Sequence, residues 1–120
     1  MTLPGTCRAV DDVLRHTDLF VMSSAYEGFG MALAEAMACG VPAVSFDCPS
    51  GPGLIIRHGV DGLLVPPGNE RGLSEAMAAL MADGEKRKIM AARAPEVIQR
   101  FSREKYLDAW EKLLLDCRLR

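Results

Sequence analysis

Glu27-Gly28-Phe29-Gly30-Met31-Ala32-Leu33-Ala34-Glu35 decides how this chain is read, because two carboxylates bracket a glycine-containing turn that opens onto an apolar helix. Glycines at 28 and 30 let the backbone approach a ligand closely and adopt positive φ. A helix starting at Gly30 presents unpaired N–H groups and the positive end of its dipole, which suits a phosphate. From Met31 to Cys39 only Glu35 is polar, so the helix is expected to be buried on most faces. A carboxylate in that setting needs a protein donor or a ligand hydroxyl. A glycine turn between strand and helix occurs throughout α/β proteins and does not by itself mark a ligand site. The second carboxylate shifts the reading, since nucleotide-binding folds use carboxylates to hold ribose hydroxyls.

Upstream, Leu19-Phe20-Val21-Met22 lacks polar alternation, the pattern of a strand covered on both faces, so Asp18 to Met22 is read as a strand of a parallel sheet. The loop Ser23 to Gly30 then lies at the carboxyl end of that strand, where open α/β sheets bind ligands. Val10 to His16 reads as a short helix with Asp11 and Asp12 in its first turn, and Leu3-Pro4-Gly5 as the end of a strand followed by a turn. Downstream, Gly40 caps the apolar helix and Val41-Pro42 leads into a strand at Ala43 to Phe46. The turn-rich loop Asp47 to Gly53 gives way to a helical turn at Leu54 to Arg57, and a third strand follows at Leu63 to Val65. Asn69 caps a helix reaching about Ala82, Gly84 separates it from a helix beginning near Glu85, and Pro95 interrupts that second helix. Ser102 caps the last helix, where Tyr106, Ala109, Trp110, Leu113 and Leu114 form one stripe. For Tyr106 and Trp110, exposure and packing under the sheet both remain open. Strand followed by helix, repeated, predicts an α/β parallel sheet, with no internal repeat or linker.

The bulk properties narrow the function classes. The 120 residues make room for one domain, and a net charge of −2, split as −4 over residues 1–69 and +2 over residues 70–120, argues against nucleic acid as a partner. Lys86-Arg87-Lys88 could touch an anionic membrane surface, although a three-residue charge run reads first as a solvated helix face. Cys7, Cys39, Cys48 and Cys117 form no CxxC pair, so a disulfide framework and a zinc site are both disfavoured, and the thiols read as reduced in a cytosolic protein. Cys39 is expected in the core and Cys48 in an accessible loop. His16 and His58 have no nucleophile at a recognisable spacing and read as structural or surface residues. No apolar run is long enough to span a membrane.

Taken together, Ser24-Ala25-Tyr26-Glu27-Gly28-Phe29-Gly30, Glu35, Ala36-Met37-Ala38, Gly40 and Pro42 resemble the carboxyl-terminal donor domain of the retaining GT-B glycosyltransferases of family 4. Asp18-Leu19-Phe20-Val21 before this stretch, and Ile55 to Val65 after it, extend the likeness over most of the chain. Asp47-Cys48-Pro49-Ser50-Gly51-Pro52 is most similar to members that build bacterial polysaccharides or lipid-linked glycans from UDP-sugars. The resemblance implies that Glu27 is the catalytic-site carboxylate, contacting the donor sugar's hydroxyls. Gly28, Phe29, Gly30, Met31 and Ala32 would hold the diphosphate, Glu35 the ribose hydroxyls, and Ser50 and Gly51 would add loop contacts. Attack from the sugar's front face, with the donor diphosphate taking the acceptor's proton, would give retention. Neither a cofactor nor a metal is implied; the partners are a nucleotide-sugar and a glycan or polyprenyl-linked acceptor, in the cytoplasm or at the inner membrane face. Leu54 departs from the pattern, since the family usually has Glu before the Ile-Ile pair.

The resemblance also implies that residues 1–120 are an incomplete nucleotide-sugar donor-binding domain: a partial Rossmann-like parallel sheet of about three strands plus an amino-terminal remnant, with helices on both faces and a helical carboxyl terminus. An acceptor domain, two earlier strands and a basic pair that clamps the diphosphate would lie outside this stretch. The isolated chain is therefore expected to bind donor feebly and transfer nothing, and the strand at Asp18 to Met22 to expose an edge that can pair with another chain. Two other readings remain: a sugar-nucleotide epimerase of the same shape, which lacks this glutamate pair, and a noncatalytic nucleotide-sugar-binding or interaction module.

Overall fold

The apolar runs do become a parallel sheet. In the computed structural model, which describes residues 2–118, β1 (Phe20–Met22), β2 (Ala43–Phe46) and β3 (Gly62–Val65) are ordered β1-β2-β3. Val21 pairs with Val44, and Val44 with Leu63, so β2 is the central strand and all four of its residues are buried. Helices cover both faces, which accounts for the missing polar alternation. On one face Leu33 and Met37 of α2 (Met31–Ala38) meet Met22, Ala43, Ile55, Ala94 and Val97. On the other, Val44, Phe46 and Val65 meet Leu73 and Leu80 of α4 (Glu70–Ala82) and Met90 of α5 (Gly84–Arg93). Leu33, Met37 and Leu80 are fully buried, each contributing roughly 2 kcal/mol by leaving water.

Local signals set the remaining boundaries. α1 (Val10–Arg15) precedes β1, and α3 (Pro52–Ile55) is a single turn between β2 and β3. The Asn69 side chain accepts from the Gly72 N–H at the start of α4, and Asp83 caps α5 through the Lys86 N–H. Gly40, at φ +81°, ends α2: its N–H donates to Met37 O and that of Val41 to Ala36 O, the Schellman arrangement. Pro95 breaks the helical run into a 3-10 turn, Ala94–Glu96, followed by α6 (Val97–Arg100). Ser102 then opens α7 (Arg103–Arg118) by accepting from the Lys105 N–H.

Four expectations are corrected. Leu3-Pro4-Gly5 is not in a strand; it is exposed and irregular, since no strand among the described residues offers it a ladder, although Gly5 does adopt a turn φ of +84°. Cys48 is buried at 2% exposure rather than accessible, because the loop folds over it, while Cys39 is only partly buried beside Leu14, Ala36 and Val41. Glu35 is exposed, not buried. α2 buries only the stripe Leu33, Ala36 and Met37, and its Met31, Ala32 and Glu35 side faces solvent.

α7 buries none of its residues, and Tyr106 and Trp110 are exposed, which resolves the alternative left open for them. The Cα radius of gyration is 16.1 Å, against roughly 13.5 Å for a compact chain of this length, because α7 stands off the body. No helix among the described residues is long and apolar enough to cross a membrane. Arg87, in the basic run, donates to the carbonyls of Leu80 and Met81 at 2.6 Å and so caps α4.

Candidate functional site

The loop after β1 and the loop after β2 meet at the carboxyl ends of the two strands. A Cβ on Gly51 would lie 2.6 Å from Phe29 O and 3.5 Å from Gly28 O, so the two backbones touch and only glycine fits. Gly28, Phe29 and Gly51 are thus brought together. Ser50, next to the contact, is the only non-glycine residue with positive φ, 76°, among the described residues.

Gly30 opens α2 with φ +93°, a left-handed conformation that an L side chain adopts only with strain. No side chain caps this helix start, and no acidic residue occupies its first turn. The N–H groups of Met31, Ala32 and Leu33 therefore have no side-chain acceptor, and Met31 and Ala32 are exposed. An uncapped first turn with exposed residues can receive an anion.

Of the two carboxylates, Glu27 is half-buried and accepts a hydrogen bond of 2.7 Å from Ser24 Oγ. The Glu35 carboxylate forms no hydrogen bond or ion pair among the described residues. Neither acid is saturated by protein donors, so both keep lone pairs for hydroxyl groups. The reason for expecting a ligand at Glu35 changes accordingly: burial does not demand one, whereas an open acceptor one turn beyond Met31 permits it.

Beneath these loops lies a charged cluster that the sequence did not disclose. Asp61, fully buried, accepts from the Arg57 backbone N–H at 2.8 Å and from Arg57 Nε at 2.7 Å, and lies 3.6 Å from Arg100. Arg57 also reaches Glu96 at 2.6 Å, and Arg93 donates to the same carboxylate. The hydrogen bonds from Arg57 and then Arg93 hold the Glu96 carboxyl below its ordinary value, and Glu96 followed by Asp61 raises the Arg57 guanidinium. Arg100 donates to Ile55 O at 2.6 Å, closing the end of α3. Its guanidinium sits 5.5 Å over the Phe101 ring, which meets Phe29 edge-on at 5.2 Å. The cluster thereby connects the Phe29 turn to α6 and the β3 loop. Arg57 and Asp61 are four apart, a visible pair, but nothing local signals Arg100, which lies 45 residues from Ile55.

A groove of 660 Å³ lies beside this contact, walled by Phe29, Met31, Phe101 and Tyr106 with Arg100, Arg103 and Lys105 around it. It does not include Glu27 or Glu35. No group of three or more His, Cys, Asp or Glu residues that could hold a metal occurs among the described residues. His58 is structural: its Nδ1 accepts from the Leu64 N–H at 2.9 Å.

Known proteins are similar to this chain in sequence and in fold. The family model described as glycosyl transferases group 1 matches residues 2–97. A Streptomyces coelicolor protein, an exopolysaccharide phosphotransferase, is 43% identical over 90 residues, which are 75% of this chain and 10% of that one. The lipopolysaccharide core biosynthesis glycosyltransferase LpsE of Rhizobium meliloti is 38% identical over 102 residues, 84% of this chain and 30% of its own length. The crystal structure of a Staphylococcus aureus TarM mutant with fondaparinux, alpha-GlcNAc-glycerol and UDP superposes at a TM-score of 0.87 and 28% identity, covering 93% of this chain and 23% of that one. The chain thus spans from a tenth to under a third of the length of these relatives.

Proposed function

Because this chain belongs to the group 1 glycosyl transferases, we propose that it forms part of the nucleotide-sugar donor site of a retaining GT-B enzyme of family 4. The donor is a UDP-sugar and the acceptor a glycan or lipid-linked glycan of a polysaccharide pathway. The observation that carries this reading is the uncapped start of α2 at Gly30, set between the half-buried Glu27 and the open acceptor Glu35. The diphosphate lies on the N–H groups of Phe29 to Ala32, where helix dipole and unpaired donors favour its charge. Glu27, which touches the substrate, orients the donor sugar's hydroxyls, and Glu35 takes the ribose hydroxyls. Ser50 and Gly51 border the same turn. Departure of the diphosphate, which accepts the acceptor's proton as the new bond forms on the same face, leaves the configuration retained without a protein base. No cofactor or metal takes part, so chelation leaves donor binding unchanged.

Support comes from the TarM complex, whose ligands include UDP. The phosphotransferase name of the Streptomyces relative carries no weight here, since the match covers 10% of that protein. On its own this 120-residue stretch, which spans 30% or less of the length of these relatives, binds donor weakly and transfers nothing. A radioactive transfer assay showing turnover by the chain alone contradicts that part.

Calorimetry with UDP-sugars tests the site. Glu27→Gln and Glu35→Gln each remove a charged acceptor and weaken binding by about tenfold to a hundredfold. Parent-like binding by both variants removes the carboxylates from the site. Leu54, 64% exposed where the family resemblance has Glu, favours one second reading, a noncatalytic nucleotide-sugar-binding module. In that case Leu54→Glu leaves donor binding unchanged, and a longer chain carrying an acceptor domain still transfers no sugar.

A further inference from the structure

We propose that Ser24 is the positioning residue for Glu27: its hydroxyl fixes the carboxylate in the orientation that recognises the donor sugar, a role that rests on the donor-site reading above. The geometry is specific. Ser24 Oγ donates to Glu27 Oε1 at 2.7 Å, both residues are half-buried, and both lie in the loop between β1 and α2. No other protein donor reaches this carboxylate among the described residues, so Oε2 and the remaining Oε1 lone pairs stay available.

A glutamate side chain has three rotatable torsions, and an unrestrained carboxylate must be ordered whenever a ligand binds. A neutral hydroxyl orders it beforehand. It does so without a guanidinium, which can occupy both oxygens and compete for the contacts a sugar makes. Another carboxylate fixed within a described loop, Asp61, is held by a guanidinium, Arg57 Nε at 2.7 Å, and is fully buried, unlike Glu27. The simpler account is that the bond merely ties the loop; it separates from positioning by what the loss of the hydroxyl affects.

The test uses the full chain, titrated calorimetrically with UDP and with the tightest-binding of UDP-glucose, UDP-galactose and UDP-N-acetylglucosamine. Positioning predicts that Ser24→Ala weakens the UDP-sugar about fivefold and leaves UDP and the melting temperature unchanged, that Ser24→Thr restores the parent affinity, and that Glu27→Gln weakens the UDP-sugar alone. In the ligand-free protein, Ser24→Ala also averages the Glu27 side-chain rotamers read from three-bond NMR couplings. Parent-like UDP-sugar affinity or parent-like couplings in Ser24→Ala overturns the proposal. Parallel loss of UDP and UDP-sugar with a lowered melting temperature does too, because that is the signature of a loop tie. If Glu27→Gln binds the UDP-sugar as the parent does, the donor-site reading itself fails; if only Glu27→Gln is impaired, that reading stands and the Ser24 role falls.

Discussion

At the scale of single residues, the contact between Gly51 and the Phe29 carbonyl fixes how closely the two loops approach. Any Cβ there meets backbone, not a movable side-chain end, so Gly51→Ala must separate the loops. We expect Gly51→Ala to cost about 1 to 3 kcal/mol in thermal or denaturant unfolding, as overpacking does, and to weaken UDP-sugar binding through displacement of Phe29. Retention of both properties would show that the loops are not coupled. The residue scale is also where sequence reading is least secure. Glycine positions and the Glu27 to Glu35 spacing were legible because they are written locally. The exposure of Glu35 was not: an Ala- and Met-rich helix looks buried all round, yet only Leu33, Ala36 and Met37 are fully covered. Small and flexible apolar residues carry little information about which face is covered.

Among the elements, helices and strands followed local chemistry closely. Asn69 and Ser102 cap where they were expected to, Gly40 ends α2, and Pro95 interrupts the helix, each through hydrogen bonds made or lost within a few residues. The support under the site is different, since Arg100 meets Leu54 and Ile55 across more than 40 residues of sequence, a distance that no periodicity encodes. Glu96 joins this support and supplies a pH dependence. Its carboxyl is held below the ordinary value by Arg57 first and Arg93 second. A lowered folded-state value means that the stabilisation is present above the unfolded glutamate value of about 4.3 and is lost as the pH falls below it. The melting temperature should therefore drop as pH is taken from 5.5 to 3.5, and Glu96→Gln should lower it at neutral pH while flattening that drop. An unaltered acid profile in Glu96→Gln would remove Glu96 from the linkage. Asp61→Ala leaves Arg57 and Arg100 without their buried partner and should cost about 3 kcal/mol in denaturant unfolding.

For the whole molecule, a central strand buried on both faces and a β1 edge without a neighbour among the described residues define what the chain offers to other polypeptides. An unpaired strand edge invites pairing, so sedimentation should show association that grows with concentration; a monomer at every concentration would mean that the edge is blunted. α7 adds an exposed stripe at the far end of a molecule 54 Å long. The parallel sheet was legible because continuous apolar strands alternate with helices, whereas the reach of α7 was not, since an amphipathic stripe does not name the surface it covers. The account as a whole depends on the start of α2 receiving a diphosphate. The direct measurement is a UDP titration of the ¹⁵N-labelled chain. The account predicts saturable amide shifts concentrated at Gly28 to Leu33 and extending to Glu35 and Ser50–Gly51; shifts confined to the groove beside Phe101 and Tyr106, or none at millimolar UDP, would contradict it.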